Sequence, residues 1–401
     1  MMYIYKKKSI YLSLIFVLAG IDGFQEFSYL RELGSRPFYL LVIPGIVFLS
    51  LKKYSTSINI DRFLAVVIIY FLSLIGFLFF GIDFQDFGNK EPIFQFIAQG
   101  ILFLIGFSSI IFSIKFKIKK NIFINAVKVA LAINLIFIFI DWLAIFFDIY
   151  RPFQNIFYPE YAINRGMPLG LFSEPSYVGA YFGLLVPLYL HKEKIAKILL
   201  ISLLLVIYFY INQTKTFFVV FIPMMLYMFK LRYKFSLKLL FLGVFGLILF
   251  YLVSDSLYLF AVDENLSSAY RLGNAISYLV YAVKNNLILG YGFGSSHFIF
   301  SYLDFIFGDL SSDEFKFMIS GFGENRALVF NLWIRLFVEV GIIGTVILLI
   351  LIAKRFYFCR SDLFKLLFIG AFIISLAGDS YIYGIFWISL FILFNFEEVP
   401  D

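Results

Sequence analysis

Ionisable side chains are scarce in this chain, and two of them lie between apolar runs of membrane length. Arg165 and Glu174 belong to the segment RGMPLGLFSEPS, which covers residues 165–176. Ionisable groups near hydrocarbon are costly, so they tend to mark sites that handle polar substrates. A guanidinium suits a phosphate or diphosphate because its N–H groups donate hydrogen bonds in a fixed plane.

Glu174 has two interpretations. It precedes Pro175, and a carboxylate at the start of a helix is favoured by the helix dipole, so a capping role is the simplest. The catalytic interpretation makes Glu174 a general base toward a hydroxyl, or a partner that orients Arg165.

Three further cations stand near or within apolar runs. Lys215 lies in the short polar turn NQTKT, Arg271 lies early in a helix-like stretch that reaches about residue 286, and Arg335 lies inside an apolar run. Each one also fits an ordinary interfacial residue that extends toward water or pairs with an acid. Together with Arg165 they predict a set of cations for an anionic substrate group.

Asn331, Arg335 and Glu339 recur at intervals of four residues. This spacing predicts an ion pair between Arg335 and Glu339 along one helix face. Because polar groups inside a membrane helix must face protein or water, we expect this stripe to bind substrate or to hold the geometry of the site.

His297 follows the glycine-rich segment GYGFG and is a weaker candidate for substrate binding. A lone histidine in such a loop is more often structural. Cys359 is the single cysteine, and no DxD, HExxH, Walker A or dinucleotide-binding motif occurs in the sequence. We therefore expect no metal and no cofactor, and a reaction driven by a pre-activated substrate.

The composition places these residues in a membrane protein. The chain is 62% hydrophobic and only 15% charged, with a mean hydropathy of +0.93, whereas soluble domains are about a quarter charged. We predict an all-α, polytopic integral membrane protein with a single transmembrane domain over residues 1–401. The predicted twelve helices lie near 9–24, 37–51, 62–81, 93–114, 122–147, 176–190, 195–212, 216–230, 236–254, 327–353, 363–378 and 381–396.

The distribution of charge orients these spans. With the N-terminus inside, 22 of the 33 basic residues and only six of the 26 acidic residues fall on the cytoplasmic side. The positive-inside rule therefore predicts that both termini are cytoplasmic. Residues 148–175 then form a short periplasmic loop and residues 255–326 a large one. The net charge of +7 comes from the inner loops, so a nucleic-acid partner is not expected.

The ordered set of outer residues resembles the bacterial O-antigen polymerase (Wzy) family, within the group that includes the O-antigen ligases. The resemblance is carried by residues 165–176, by the turn around Lys215, by Arg271 with the segment NLILGYGFG after it, and by residues 331–344. Ligases of this group carry a histidine at the position of Phe330, which favours the polymerase.

The resemblance implies a glycosyltransferase of the bacterial inner membrane that acts in lipopolysaccharide biosynthesis. Its donor and acceptor would be oligosaccharide repeat units on polyprenyl (undecaprenyl) diphosphate, and a chain-length regulator protein would be a further partner beside the lipid bilayer. Arg165, Lys215 and Arg271 would stabilise the departing diphosphate, with Glu174 as the base and Asn331 and Glu339 holding the geometry.

Other functions stay open at the level of sequence. An O-antigen ligase, or a capsule or exopolysaccharide polymerase, would use the same kind of donor. A transporter of lipid-linked oligosaccharides also fits twelve spans, although no internal repeat is visible and the large outer loop has no counterpart in the first half. A passive scaffold leaves the outer cations unexplained.

Overall fold

The computed structural model describes residues 12–18, 57–82, 84, 91–113, 116–151, 168–172, 175–212, 214–233, 266–286, 288–299, 302–303, 331–377 and 384–399. These residues are mostly helical, and four short strands form two-stranded pairs. The helices are α1 (12–18), α2 (Ile60–Gly76, continued by the π-helix Phe77–Gly81), α3 (Pro92–Ile111), α4 (Lys120–Phe146), α5 (Pro175–Leu190), α6 (Ile195–Ile211), α7 (Lys215–Tyr233), α8 (Leu266–Asn285), α9 (Ser296–Ile299), α10 (Leu332–Phe358), α11 (Asp362–Ala377) and α12 (Gly384–Asn395). The strands are β1 (Ser57–Ile58), β2 (Phe112–Ser113), β3 (Phe116–Lys119) and β4 (Phe396–Val399).

Within the described residues, three helices are long and apolar enough to cross a membrane. They are Ile60–Gly81, Lys120–Phe146 and Leu332–Phe358, and several shorter apolar helices accompany them. The sequence-based prediction of a helical, membrane-embedded protein agrees with this architecture. Ten of the twelve predicted spans coincide with helices, the first of them in part. The spans predicted at 37–51 and 236–254 lie outside the described residues, so the number twelve stays a prediction.

Apolar side chains cover the outside of the bundle as well as its centre. The helix α6 packs mainly against α7, and much of its surface is exposed, including Leu199, Leu203, Leu204 and Ile207. Such a continuous apolar surface would be unfavourable in water and suits contact with lipid.

Close packing of α5 against α7 forms one part of the core. Gly183 allows this approach, because a Cβ atom there would lie 3.1 Å from the backbone oxygen of Phe217. The Phe217 ring then stacks between Phe209 and Phe221, with ring centroids 4.1 and 4.7 Å apart. Small residues at helix contacts are typical of membrane proteins, where association depends on close packing.

Segments predicted to be cytoplasmic meet at one end of the bundle. β1 pairs with β2 in antiparallel fashion, and β3 pairs in parallel with β4 near the C-terminus. Lys192 Nζ donates to Asn121 Oδ1 at 2.8 Å, and the Ser361 hydroxyl donates to the Glu398 carboxylate.

Segments predicted to be external meet at the other end. The Phe84 ring packs against Phe298 and Tyr302, with centroids 6.3 and 5.7 Å apart. At the same end, Asn331 Nδ2 of the predicted tenth span donates to the carbonyl oxygen of Leu376 in the predicted eleventh span at 2.9 Å. Segments predicted to share a side thus contact one another, and the side of the membrane on which each group lies stays a prediction.

Single cysteines at the two ends test this arrangement. Lys117 and Tyr302 are both exposed, so we expect Tyr302→Cys to react with a membrane-impermeant maleimide in intact spheroplasts, and Lys117→Cys to react only after permeabilisation. Labelling of both variants from the same side would contradict the arrangement.

The native cysteine provides a low background for this measurement. Cys359 is buried after the end of α10, and burial raises the pKa of its thiol. The thiolate is the reactive form, so the parent chain should label slowly at neutral pH and faster as the pH rises.

Candidate functional site

A glycine-rich loop enters the helical bundle between α2, α3 and α10. Gly290, Gly292 and Gly294 have positive φ angles of 73°, 94° and 78°. A Cβ atom on Gly290 would lie 2.5 Å from the backbone nitrogen of Gly341, and one on Gly292 would lie 2.5 Å from Phe77 Cβ. Glycine is therefore required here both for the backbone conformation and for the close approach to the neighbouring helices.

The helix α10 is interrupted where this loop meets it. Gly341 has φ 70° and ψ 178°, so the regular helical conformation is lost within the membrane-length segment. In an uninterrupted helix, the carbonyls of Val338 and Glu339 would accept from N–H groups four residues later. Here they accept from the loop, with Tyr291 N donating to Val338 O at 3.0 Å and Gly292 N donating to Glu339 O at 2.9 Å.

Side chains from α2, from α8 and from the residue after α8 complete the attachment of the loop. The Phe293 N–H donates to Ser73 Oγ of α2 at 2.9 Å, and Asn286 Nδ2 donates to the Gly290 carbonyl at 2.5 Å. The Tyr278 hydroxyl of α8 donates to the Ser296 carbonyl at 2.7 Å. Irregular backbone at membrane depth is tolerated when protein groups satisfy its hydrogen bonds, and this loop meets that condition at these positions.

The loop brings Ser296 to a buried ion pair on α10. Arg335 Nε donates to Glu339 Oε1 at 3.0 Å, and Ser296 Oγ donates to the same oxygen at 2.6 Å. Arg335 Nη2 lies 3.5 Å from Gln99 Oε1 on α3. Arg335 is 3% exposed and Glu339 is 0% exposed. The ion pair predicted from the spacing of four residues is present, and it lies inside the protein.

Neighbouring residues define the surroundings of this pair. His297, next in the chain to Ser296, is also buried. Glu339 lies seven residues after the first residue of α10, which corresponds to a depth of about 10 Å along the helix. The structure therefore brings Arg335, Glu339 and the segment of His297 together, and it adds Ser296 and Gln99, which the sequence analysis did not select.

Asn331 has a role that the spacing argument did not predict. Its Oδ1 accepts from the backbone N–H groups of Trp333 and Ile334, both at 3.0 Å, so the side chain caps the N-terminus of α10. Its amide nitrogen is bound to Leu376. These contacts join α10 to α11, and a substrate contact for Asn331 stays a prediction.

The backbone positions of Lys215 and Arg271 are defined, whereas their side chains lie outside the described part of the structure. Lys215 begins α7, and the preceding Thr214 packs against Gly179, where a Cβ atom would lie 2.5 Å from Thr214 Cγ2. Arg271 lies in α8, seven residues before Tyr278. Arg165 and Glu174 fall outside the described residues, so the predicted convergence of the cations is not tested.

Sequence reasoning gave no role to a second buried ion pair. Asp141 of α4 accepts from Arg151 through Nε at 2.8 Å and through Nη2 at 2.6 Å. The Leu169 and Gly170 N–H groups also donate to Asp141 Oδ2, at 2.6 and 3.4 Å. One carboxylate thus holds the chain on both sides of residues 152–167. The visible signal was an isolated acid within an apolar helix, which needs a partner.

Among the described residues, no group of three or more His, Cys, Asp or Glu side chains is arranged to hold a metal ion. The polar groups gathered on α10 and the loop are instead hydrogen-bond donors and acceptors with one charge of each sign. Such a set can orient a polar, hydroxyl-bearing substrate and can stabilise charge that develops beside it.

The glycine at the helix break allows a sharp test. Gly341→Ala should destabilise the protein by about 1–3 kcal/mol or more, since it combines a strained backbone with an overlap with the Ile288 carbonyl. Gly100→Ala in α3 is the matched control, because its Cβ would meet atoms only at 3.8 and 3.9 Å. Thermal unfolding in detergent measures both, and equal midpoints for the two variants would refute the requirement for glycine at 341.

The Asp141–Arg151 pair should behave as a buried ion pair. Asp141→Asn or Arg151→Ala alone should cost about 3–5 kcal/mol, because one buried charge loses its partner, and the double variant Asp141→Leu/Arg151→Met should recover part of that loss. Lys197→Gln, which removes an exposed pair with Glu193, is the control and should leave stability nearly unchanged, because exposed ion pairs contribute little. Unfolding in denaturant compares them, and a double variant less stable than either single one would argue against this interpretation.

No protein-family model, curated protein or solved structure matches this chain.

Proposed function

We propose that the chain is an O-antigen polymerase, a membrane glycosyltransferase that joins polyprenyl-diphosphate-linked repeat units at the periplasmic face of the bacterial inner membrane. The observation that carries the proposal is the buried Arg335–Glu339 pair, held by Ser296 of an inserted glycine-rich loop at the predicted outer end of the bundle. Charged groups inside a membrane protein are costly and are usually kept for function.

The location of this polar set supports a reaction at the outer face. The loop approaches from the end that also holds Phe84 and Tyr302, both in segments predicted to be external, and Asn331, near the outer end of the predicted tenth span. We propose twelve spans with both termini in the cytoplasm, which places the basic turns around Lys119 and Lys192 on the inner side. A polymer destined for the cell surface would then be built on the outer side of the membrane.

The proposed reaction transfers the growing glycan to the acceptor. A hydroxyl of the acceptor sugar attacks the anomeric carbon of the donor, the bond between that carbon and the diphosphate oxygen breaks, and the lipid diphosphate leaves with the bonding electrons. Arg165, Lys215 and Arg271 would stabilise the negative charge that develops on the diphosphate, a contribution that is often large in such reactions. Glu174 has the proposed role of orienting Arg165 or of acting as a base.

The interrupted helix α10 favours a second candidate, a transporter of lipid-linked oligosaccharides. Broken helices are common at the substrate sites of secondary transporters. In those sites the freed carbonyls face an ion or substrate, whereas Val338 and Glu339 carbonyls here accept from the loop. The inserted loop thus uses the break for its own attachment, and this favours the enzyme.

Removal of single outer cations tests the proposal. Arg165→Ala or Arg271→Ala should abolish long-chain surface polysaccharide, because the leaving diphosphate loses a cation, while single repeat units are still attached to lipid A core. A gel of the lipopolysaccharide from a deletion strain carrying each variant measures chain length. Lys284→Ala, an exposed lysine on the same helix as Arg271, is the control and should leave the ladder unchanged.

Three other results would redirect the assignment. Unaltered chain length in both arginine variants would count against the polymerase. Loss of all surface glycan, with polymer accumulating on the lipid carrier, would identify a ligase. Lipid-linked units trapped on the cytoplasmic side would identify the transporter.

A further inference from the structure

The two oxygens of the Glu339 carboxylate differ in their surroundings. Oε1 accepts from both Ser296 Oγ and Arg335 Nε. Oε2 is fully buried and accepts no hydrogen bond from any residue that the structure describes. Both described donors therefore act on one oxygen, and the other is left as an acceptor inside the bundle.

This asymmetry is informative because an acceptor of this kind is costly. A carboxylate oxygen removed from water loses strong hydrogen bonds, and the loss is largest where the surroundings are apolar. Ser296 and Arg335 fix the orientation of the carboxylate, so Oε2 has a defined direction. A fixed, buried acceptor next to a cation is suited to a ligand that supplies one O–H donor.

We propose that Glu339 Oε2 binds the attacking hydroxyl of the acceptor sugar and takes its proton as the glycosidic bond forms. The inference rests on the proposed function and assigns its general base. The hydroxyl oxygen forms the new bond to the anomeric carbon, its proton passes to Oε2, and the diphosphate leaves with the electrons of the bond that breaks. Glu339 becomes neutral in this step.

The proton transfer also changes the charge of Arg335. Before the step, the carboxylate next to Arg335 Nε compensates the guanidinium charge. After it, the guanidinium is left with a net positive charge while the diphosphate acquires negative charge. Arg335 thus becomes a stronger electrostatic partner for the leaving group at the moment of departure, which is when stabilisation accelerates the reaction.

Access of the sugar requires the glycine-rich loop to move. Glu339 is fully buried beneath the segment that carries Ser296 and His297. This segment is held by the hydrogen bonds of Tyr291 and Gly292 to α10 and of Phe293 to Ser73. We infer that acceptor binding displaces only the part of the loop with Ser296 and His297, while the hydrogen bonds of Tyr291 and Gly292 to α10 stay in place. The return of this part then excludes water from the reacting hydroxyl.

Carboxylate variants with measured rates test the assignment. Purified protein in detergent would be given lipid-linked repeat units, and bond formation would be followed as a function of pH. Glu339→Gln should lower the rate by about 100-fold or more, the usual contribution of a general base. It should also remove the rise of rate with pH that an ionising base gives the wild-type protein, and a structural role alone would not do so. Glu339→Asp should retain part of the rate, and Glu193→Gln at the opposite end should retain all of it.

The amount of each variant in the membrane is measured as a control for correct folding. If Glu339→Gln does not accumulate because Arg335 loses its partner, the neutral double variant Arg335→Gln/Glu339→Gln replaces it, since no single charge is then left buried. If the double variant also does not accumulate, the rate of Glu339→Asp is the test. Aspartate keeps the negative charge but its shorter side chain moves the carboxylate oxygen away from the acceptor hydroxyl. A wild-type rate for this variant would overturn the assignment.

The outcomes separate this inference from the proposed function. If the wild-type gene restores chain length to a deletion strain and the rate of Glu339→Gln is within about twofold of the wild-type rate, the assignment to Glu339 is wrong and the proposed polymerase function is retained. If Glu174→Gln instead removes the pH-dependent rise, the base is Glu174. If the wild-type gene does not restore chain length, the proposed function falls and this assignment falls with it.

Discussion

The exchange of hydrogen bonds between the glycine-rich loop and the broken helix α10 is the constraint on which the proposed site depends. Two carbonyls of α10 accept from two N–H groups of the loop, so the break in the helix and the irregular backbone of the loop satisfy one another. Neither element would be tolerable alone at membrane depth, where water cannot supply the missing partner. Glycine is needed at 290 because a Cβ there would meet the backbone of Gly341, and at 341 because a Cβ there would meet the Ile288 carbonyl.

The polar contacts of the site follow from this attachment. Once the loop is held against α10, Ser296 reaches Glu339, and the ion pair with Arg335 is enclosed by α3 on the side of Gln99. A buried ion pair contributes little net stability compared with apolar packing, so its retention is more readily explained by function than by folding. Because the described donors bind only Oε1 of Glu339, Oε2 can accept a hydrogen bond from a ligand with a hydroxyl group.

Asp141 shows the same principle at a second place in the bundle. Its carboxylate holds Arg151 and two backbone N–H groups, and so returns the chain to α4 on both sides of residues 152–167. Gly170, with φ 66°, packs against Ile138 at this point. In both places one buried carboxylate fixes a non-helical segment to a helix, so a single polar side chain binds several donors in a chain where polar groups are scarce.

The sequence by itself determined the class of the protein, most helix positions and the Arg335–Glu339 pair. Length of apolar runs, the charge bias of the loops and a spacing of four residues are local properties, so they can be counted along the chain. The capping role of Asn331, the partners of Asp141, the contribution of Ser296 and the break at Gly341 depended on the tertiary structure. They arise from contacts between residues that are distant in sequence, and a valine-glycine-isoleucine segment gives no local sign that another backbone will occupy the space beside it.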